Sequence, residues 1–170
     1  MTLDQRWQVR RATINDSSSL AQLNQHVHAL HVEAEPGDFH DVDPADTREF
    51  FVSLFVGDEH VVFVAVDAAG QAIGYVLAED HQRPETPFTR ATRTFYIHHV
   101  SVAPSAREQG VGNSLMAAVE TEARRRGISR LALDHWAFNE TAQRFFASLG
   151  FQPYNVRMRR ELSHDQGDPH

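Results

Sequence analysis

The chain contains no cysteine, so disulfides, thiolate metal sites and cysteine acyl-enzymes are all excluded. Any acyl chemistry must use another nucleophile. Long apolar runs are also missing. The best of them, such as residues 61–66, is far too short to span a bilayer. The first six residues lack the charged start and apolar middle of a signal peptide, so a cytoplasmic location without membrane attachment is expected. Positive charge is in deficit, with 16 Lys and Arg against 23 Asp and Glu and a net charge of −7, which argues against a bulk grip on nucleic acid and favours cationic ligands.

What is present is the composition of an ordinary folded domain: 41% hydrophobic and 23% charged over 170 residues, enough for one core. The patterning predicts a single domain over 1–162 and a frayed tail at 163–170. A first strand is expected at 7–12. A helix carrying Leu20, Leu23, Val27 and Leu30 then ends near His31. His26, His28 and His31 on that helix read as solvated, because no further ligand sits at metal-binding spacing; no metal is expected. Residues 33–46 hold two prolines and six acidic residues and form a loop before a short helix capped by Asp46 or Thr47. Strands at 61–66 and 72–78 make a hairpin around 67–70, and a mobile connection is expected over 83–94. Strand 95–102, helix 111–126, strand 128–136, a helix capped by Asn139 and a last strand at 151–162 follow. This order predicts a mixed sheet, antiparallel through the hairpin and parallel where helices cross over.

The most informative stretch is Val102-x-Pro104-x-x-Arg107-Glu108-Gln109-Gly110-Val111-Gly112-Asn113-Ser114. It reads as a strand, a glycine-containing turn and the first turn of a helix, where unpaired amides and the helix dipole favour an anion. A pyrophosphate cradle is one reading; a tight strand-to-helix connection is the other. Neither the Rossmann nor the P-loop pattern is satisfied.

Together with Asn139-x-x-Ala142, Phe146 and Leu149-Gly150-Phe151, this stretch resembles the GNAT superfamily of acyl-CoA-dependent N-acetyltransferases. The resemblance implies an α/β fold of the α+β type, with six or seven strands in a mixed sheet and about four helices. It implies acetyl-CoA as the acyl donor and an amine of a small molecule or peptide as acceptor. Homodimerisation is common among similar proteins and is expected. Strand 96–102 resembles that of the spermidine/spermine-like branch, with His98 and His99 where acidic residues commonly stand.

Transfer to an amine needs a base, because an alkylamine is mostly protonated near neutral pH. His98 matches the family position that often carries the base, and an imidazole titrates in the right range; His99 and Glu79 are further candidates. Simple alternation places Tyr96, His98, Val100 and Val102 on one face and Ile97, His99 and Ser101 on the other. By resemblance, the main chain at Val100 and Val102 pairs with the pantetheine arm, the Val100 amide polarises the acyl carbonyl, residues 107–114 hold the pyrophosphate, and Asn139 contacts the cofactor. Glu33, Glu35, Asp38, Glu79 and Tyr96 are candidates for the acceptor pocket. Phe146 departs from the family pattern, since many relatives carry there a tyrosine thought to protonate the departing thiolate. Tyr96, Tyr154 or water could substitute, the thiolate could leave unaided, or the chain could be a non-catalytic acyl-CoA-binding sensor.

Overall fold

Residues 6–162 are described in the computed structural model; the expected tail at 163–170 lies outside them. The chain divides between Asp134 and His135 into two units. The first carries a five-stranded sheet with its strands in chain order: β1 (Trp7–Arg11), β2 (His60–Asp67), β3 (Ala72–Arg83), β4 (Thr92–Val102) and β5 (Leu131–Leu133). β1 to β4 pair antiparallel, and β5 joins β4 in parallel. Helices α1 (Ser17–Ala34), α2 (Pro44–Ser53) and α3 (Val111–Arg125) also belong to this unit. The second unit holds α4 (Glu140–Ser148).

Five strands replace the expected six or seven. Residues 151–162 form no regular element, because none of them pairs with a described strand; their alternating Tyr154, Val156 and Met158 stay 81%, 75% and 92% exposed. The strand expected at 128–136 shortens to β5, where only three residues find partners, Phe95, Tyr96 and Ile97. α1 runs past His31 to Ala34. α2 starts earlier than expected because Asp43 caps it, its carboxylate accepting from the Ala45 amide at 2.7 Å, while Pro44 takes a first-turn position that needs no donor. β3 and β4 continue pairing as far as Arg83 and Thr92, which shortens the connection expected over 83–94 to 84–91.

Two layers of side chains fix the sheet between helices. On one face Leu20 and Leu23 of α1 and Phe51 and Leu54 of α2 pack with Val62, Val64, Tyr75 and Leu77. On the other, α3 buries Val111, Leu115, Met116, Val119 and Ala123, a stripe at helical spacing, and lies over β2, β3 and β4. Each such side chain taken out of water stabilises by about 1.5–3 kcal/mol. Gly74 leaves room for this contact, since a Cβ there would stand 3.2 Å from the Val111 side chain and 3.3 Å from that of Leu115.

Glu122 anchors the far end of α3. Its carboxylate accepts from Arg125 and Arg126 at 2.7–2.8 Å, and these guanidinium groups hold it at a pKa of about 2. Arg124 pairs with Glu120 at 2.9 Å. The arginine run is thus consumed in ion pairs at the helix C-terminus and offers no cationic patch. No helix among the described residues is long and apolar enough to cross a membrane.

Candidate active site

The pairing of β3 with β4 slips by one residue in mid-strand. Leu77 lies opposite His99 but Ala78 lies opposite Ile97, so His98 is the extra residue of a β-bulge. A bulge changes which side chains face which way. Beyond it, Ser101 donates its hydroxyl proton to the Leu23 carbonyl of α1 at 2.7 Å, and His99 meets Phe50 and Phe51 of α2. Val102 pairs with Gly74 on the α3 side. The simple alternation expected for this strand is therefore wrong. Tyr96, His98, His99 and Ser101 face α1 and α2, whereas Ile97, Val100 and Val102 face α3.

His98 is half-exposed and joined to Glu79 of β3, its Nε2 standing 2.7 Å from the carboxylate. An ionised carboxylate only accepts, so Nε2 donates to it, and Nδ1 is the ring nitrogen left to accept when the ring carries a single proton. The Tyr96 ring centroid lies 5.0 Å from that of His98, and the Tyr96 hydroxyl donates to Asp134 at 2.7 Å. His60 of β2 stands directly opposite Glu79, with its ring 6.4 Å from His98. Three adjacent strands thus contribute a row of titratable groups where the cover of α1 and α2 ends.

His99 is chemically unlike its neighbour. It is largely buried, and desolvation first, then the nearby imidazoles, lower its pKa to about 4. The Tyr75 hydroxyl accepts from the Asn24 amide at 2.8 Å and stands 3.2 Å from His99 Nδ1. With Asn24 as donor, the Tyr75 proton is directed at Nδ1, and His99 is held neutral. Through Tyr75 and Asn24 it braces the strand beneath the bulge.

The turn into α3 has the conformation an anion cradle needs. Glu108 (φ 60°) and Gly110 (φ 95°) are both left-handed, and Gly110 occupies the N-cap without any side-chain cap bond. The first amides of α3 thus lack the side-chain acceptor that usually satisfies them. Arg107 Nε donates to the Val102 carbonyl at 3.1 Å and ties this turn to the end of β4. Gln109 bonds back to the Ser105 carbonyl at 2.9 Å, and Ser114 Oγ lies 3.3 Å from Trp7 Nε1. Between this turn and the bulge, β4 has no strand partner on its β5 side among the described residues, because pairing with β5 ends at Ile97 and Leu133. An extended ligand arm fits against such an edge, as an added strand does. The acyl-CoA expectation therefore fits the residues present: an edge at Val100 and Val102, and uncapped amides at Val111, Gly112 and Asn113.

Of the acceptor candidates, Glu79 and Tyr96 meet at His98. Glu33, Glu35 and Asp38 belong instead to the end of α1 and the loop after it, where Phe39 stacks on His31 at 4.9 Å. In the second unit, Asn139 caps α4 by accepting from the Ala142 amide at 3.0 Å, leaving its NH₂ as the donor end. Phe146 packs its ring against Phe145 and Phe151, at 5.2 and 5.8 Å. Sequence reasoning missed His60, Tyr75, Asn24, Asp134 and Trp7, which matter through pairings between distant strands and helices.

Residues 24–151 match the profile of the acetyltransferase (GNAT) family. The aminoglycoside N(6')-acetyltransferase type 1 of Klebsiella aerogenes is 34% identical over 101 residues, 59% of this chain and 65% of that protein. An uncharacterized N-acetyltransferase of Bacillus subtilis, YycN, is 32% identical over 82 residues, 48% of this chain and 50% of its own. The chain thus spans between half and two thirds of these curated relatives. Among solved structures, a tetramutant of the BH1408 protein of Bacillus halodurans superposes with a TM-score of 0.86 at 28% identity, covering 91% of this chain and 99% of its own. The aminoglycoside N-acetyltransferase AAC(6')-Iy in complex with CoA gives 0.72 at 20% identity, covering 95% and 98%, a likeness of fold alone.

Proposed function

This chain belongs to the GNAT acetyltransferase family, and on that premise we propose that it transfers an acetyl group from acetyl-CoA to a primary amine of a small molecule or peptide by direct attack. The observation that carries this reading is the His98–Glu79 pair at the β4 bulge, beside the strand edge that suits a pantetheine arm. Glu79 fixes the His98 tautomer, so that Nδ1 takes a proton from the incoming ammonium. The free amine then attacks the thioester carbon. The Val100 amide polarises the carbonyl, the main chain of Val100 and Val102 aligns the arm, and residues 107–114 hold the pyrophosphate.

The thiolate leaves without a phenolic acid. Phe146 has no proton to give, Tyr154 is almost fully exposed, and Tyr96 already donates to the Asp134 carboxylate, whose charge would oppose a phenolate beside it. The absence of a hydroxyl at Phe146 also favours a second reading, a non-catalytic acyl-CoA sensor, in which His98→Ala leaves any residual turnover unchanged.

The acceptor class follows from charge. An acidic chain with Glu33, Glu35 and Asp38 at the end of α1 and in the loop after it suits a cationic amine, and an aminoglycoside acetyltransferase among its relatives makes amino sugars the first compounds to try. We place the protein in the cytoplasm as a homodimer. The exposed apolar alternation at Tyr154, Val156 and Met158 suits strand addition to a second copy. The function is tested by incubating the protein with acetyl-CoA and a panel of amino sugars, polyamines, amino acids and peptides while following free thiol. Amine-dependent CoA release is expected, and its absence across the panel overturns the reading.

A further inference from the structure

Trp7 is the first residue of β1 and lies ahead of residues 24–151, which match the family. Its indole Nε1 donates to Ser114 Oγ at 3.3 Å. An indole N–H can only donate, so Ser114 Oγ accepts, and the hydroxyl proton goes to the Gly110 carbonyl 3.2 Å away. The ring also packs beside Gly110: its Cζ2 and Cη2 atoms stand 3.7 and 3.9 Å from the point a Cβ on that glycine would occupy. One residue of β1 thus meets the N-cap of α3 twice, through a directed hydrogen-bond chain and through van der Waals contact. Further along β1, Arg11 stands 3.8 Å from Glu122, so strand and helix meet near both ends of the strand.

The way the turn uses its donors gives these contacts their importance. Arg107 Nε, Gln109 Nε2 and Ser114 Oγ each donate to a main-chain carbonyl, those of Val102, Ser105 and Gly110. No side chain caps the first amides of α3, so those of Val111, Gly112 and Asn113 remain as donors for an anion. Their direction depends on Gly110, held at φ 95°, and a glycine has no preference of its own that would keep it there. We infer that Trp7 is a positioning residue for the cofactor pyrophosphate: acting through Gly110 and Ser114, it sets the α3 amides in their converging arrangement before the anion arrives. The inference rests on the acyl-CoA reading above. A preorganised cradle binds more tightly because the ligand does not have to order it. Without the indole the turn is correct for a smaller fraction of the time, and the apparent Kd for CoA rises by that factor.

The test compares CoA with pantetheine, the same thiol arm without pyrophosphate or nucleotide, on wild type, Trp7→Phe, Ser114→Ala and the double variant. Trp7→Phe keeps an aromatic ring against Gly110 and loses the N–H, whereas Ser114→Ala breaks the same chain from the helix side without touching β1. Calorimetry gives the Kd for CoA, and NMR titration gives the weaker one for pantetheine. The Kd for CoA should rise about threefold to tenfold in each single variant, the net worth of one hydrogen bond. The double variant should lose about as much as Ser114→Ala alone, because both changes break one chain. The Kd for pantetheine should stay that of wild type. Wild-type CoA affinity in Trp7→Phe overturns the inference, as do additive losses in the double variant. Equal weakening of CoA and pantetheine also overturns it, since that marks general damage to the fold. If the variants behave as expected but no amine of the panel releases thiol from acetyl-CoA, the acetyl-transfer reading fails and the role of Trp7 stands. If wild type binds no CoA, both fall.

Discussion

His99 should make this protein sensitive to mild acid well before its carboxylates titrate. Burial holds the ring neutral down to a pKa of about 4, whereas in the unfolded chain it titrates near its ordinary value of 6.5. The unfolded state therefore binds a proton that the folded state refuses, and stability falls as pH drops from about 6.5 toward 4. Integrated at 1.36 kcal/mol per pH unit, the loss is about 1.4 kcal/mol at pH 5.5 and about 2.5 kcal/mol at pH 4.5. Glu122, Asp16 and Asp80, whose pKa values are lowered by arginine partners, withdraw stability only below their ordinary carboxylate range. The window from 6.5 to 4.5 thus belongs to buried imidazoles. His99→Phe removes this one while keeping an aromatic against Phe51; it also takes away the acceptor of the Tyr75 proton, a loss that does not depend on pH and leaves the variant the less stable protein at pH 7.5. Urea unfolding of both proteins at pH 7.5, 6.5, 5.5 and 4.5 measures the effect, since the two stability curves should converge as pH falls. Parallel curves would refute the argument.

Three further outcomes are expected. His98→Gln should lower kcat by roughly 100-fold and Glu79→Gln by about tenfold, with little change in KM for acetyl-CoA, because the base acts on the acceptor and its carboxylate only orients it; steady-state kinetics with the best amine of the panel decide this, and equal wild-type kcat in His98→Gln would sink the base assignment. Gly110→Ala should cost about 1–2 kcal/mol in stability, the penalty of a left-handed residue with a Cβ, and weaken CoA binding measured by calorimetry; unchanged binding would remove the α3 turn from the cofactor track. Val156→Lys should convert a dimer to a monomer in analytical ultracentrifugation, and a monomeric wild type would contradict the proposed assembly.

Features read within one segment were legible in the sequence. The glycine-containing turn into α3, the Asn139 cap and the apolar stripe of α3 all depend on residues a few places apart, and the structure has them where periodicity and capping chemistry put them. What depends on two segments was not legible. Counting the hairpin back from the turn at residues 67–70 would set His60 opposite Ala78. An irregularity between Ala65 and Val66 moves the partner to Glu79. The same kind of slip at His98 decides which face His99 takes, and only the pairing partner reveals it. Residues 151–162 erred the other way. Their alternation is that of a strand, but a strand exists only where a neighbour supplies the hydrogen bonds, and residue pattern does not name the neighbour.

The bulge also makes residue number a matter of parity. Before it, even-numbered Tyr96 points toward α1 and α2; after it, odd-numbered His99 and Ser101 do. Closing the bulge with all its residues kept, so that His98 took a regular ladder position, would restore simple alternation and turn half the strand inside out. Valines would then meet the Leu23 carbonyl and the Tyr75 hydroxyl, and an imidazole and a serine would be driven into the apolar layer under α3. This strand admits substitutions, but the register that leaves His98 outside the ladder is as much a part of the site as any side chain in it.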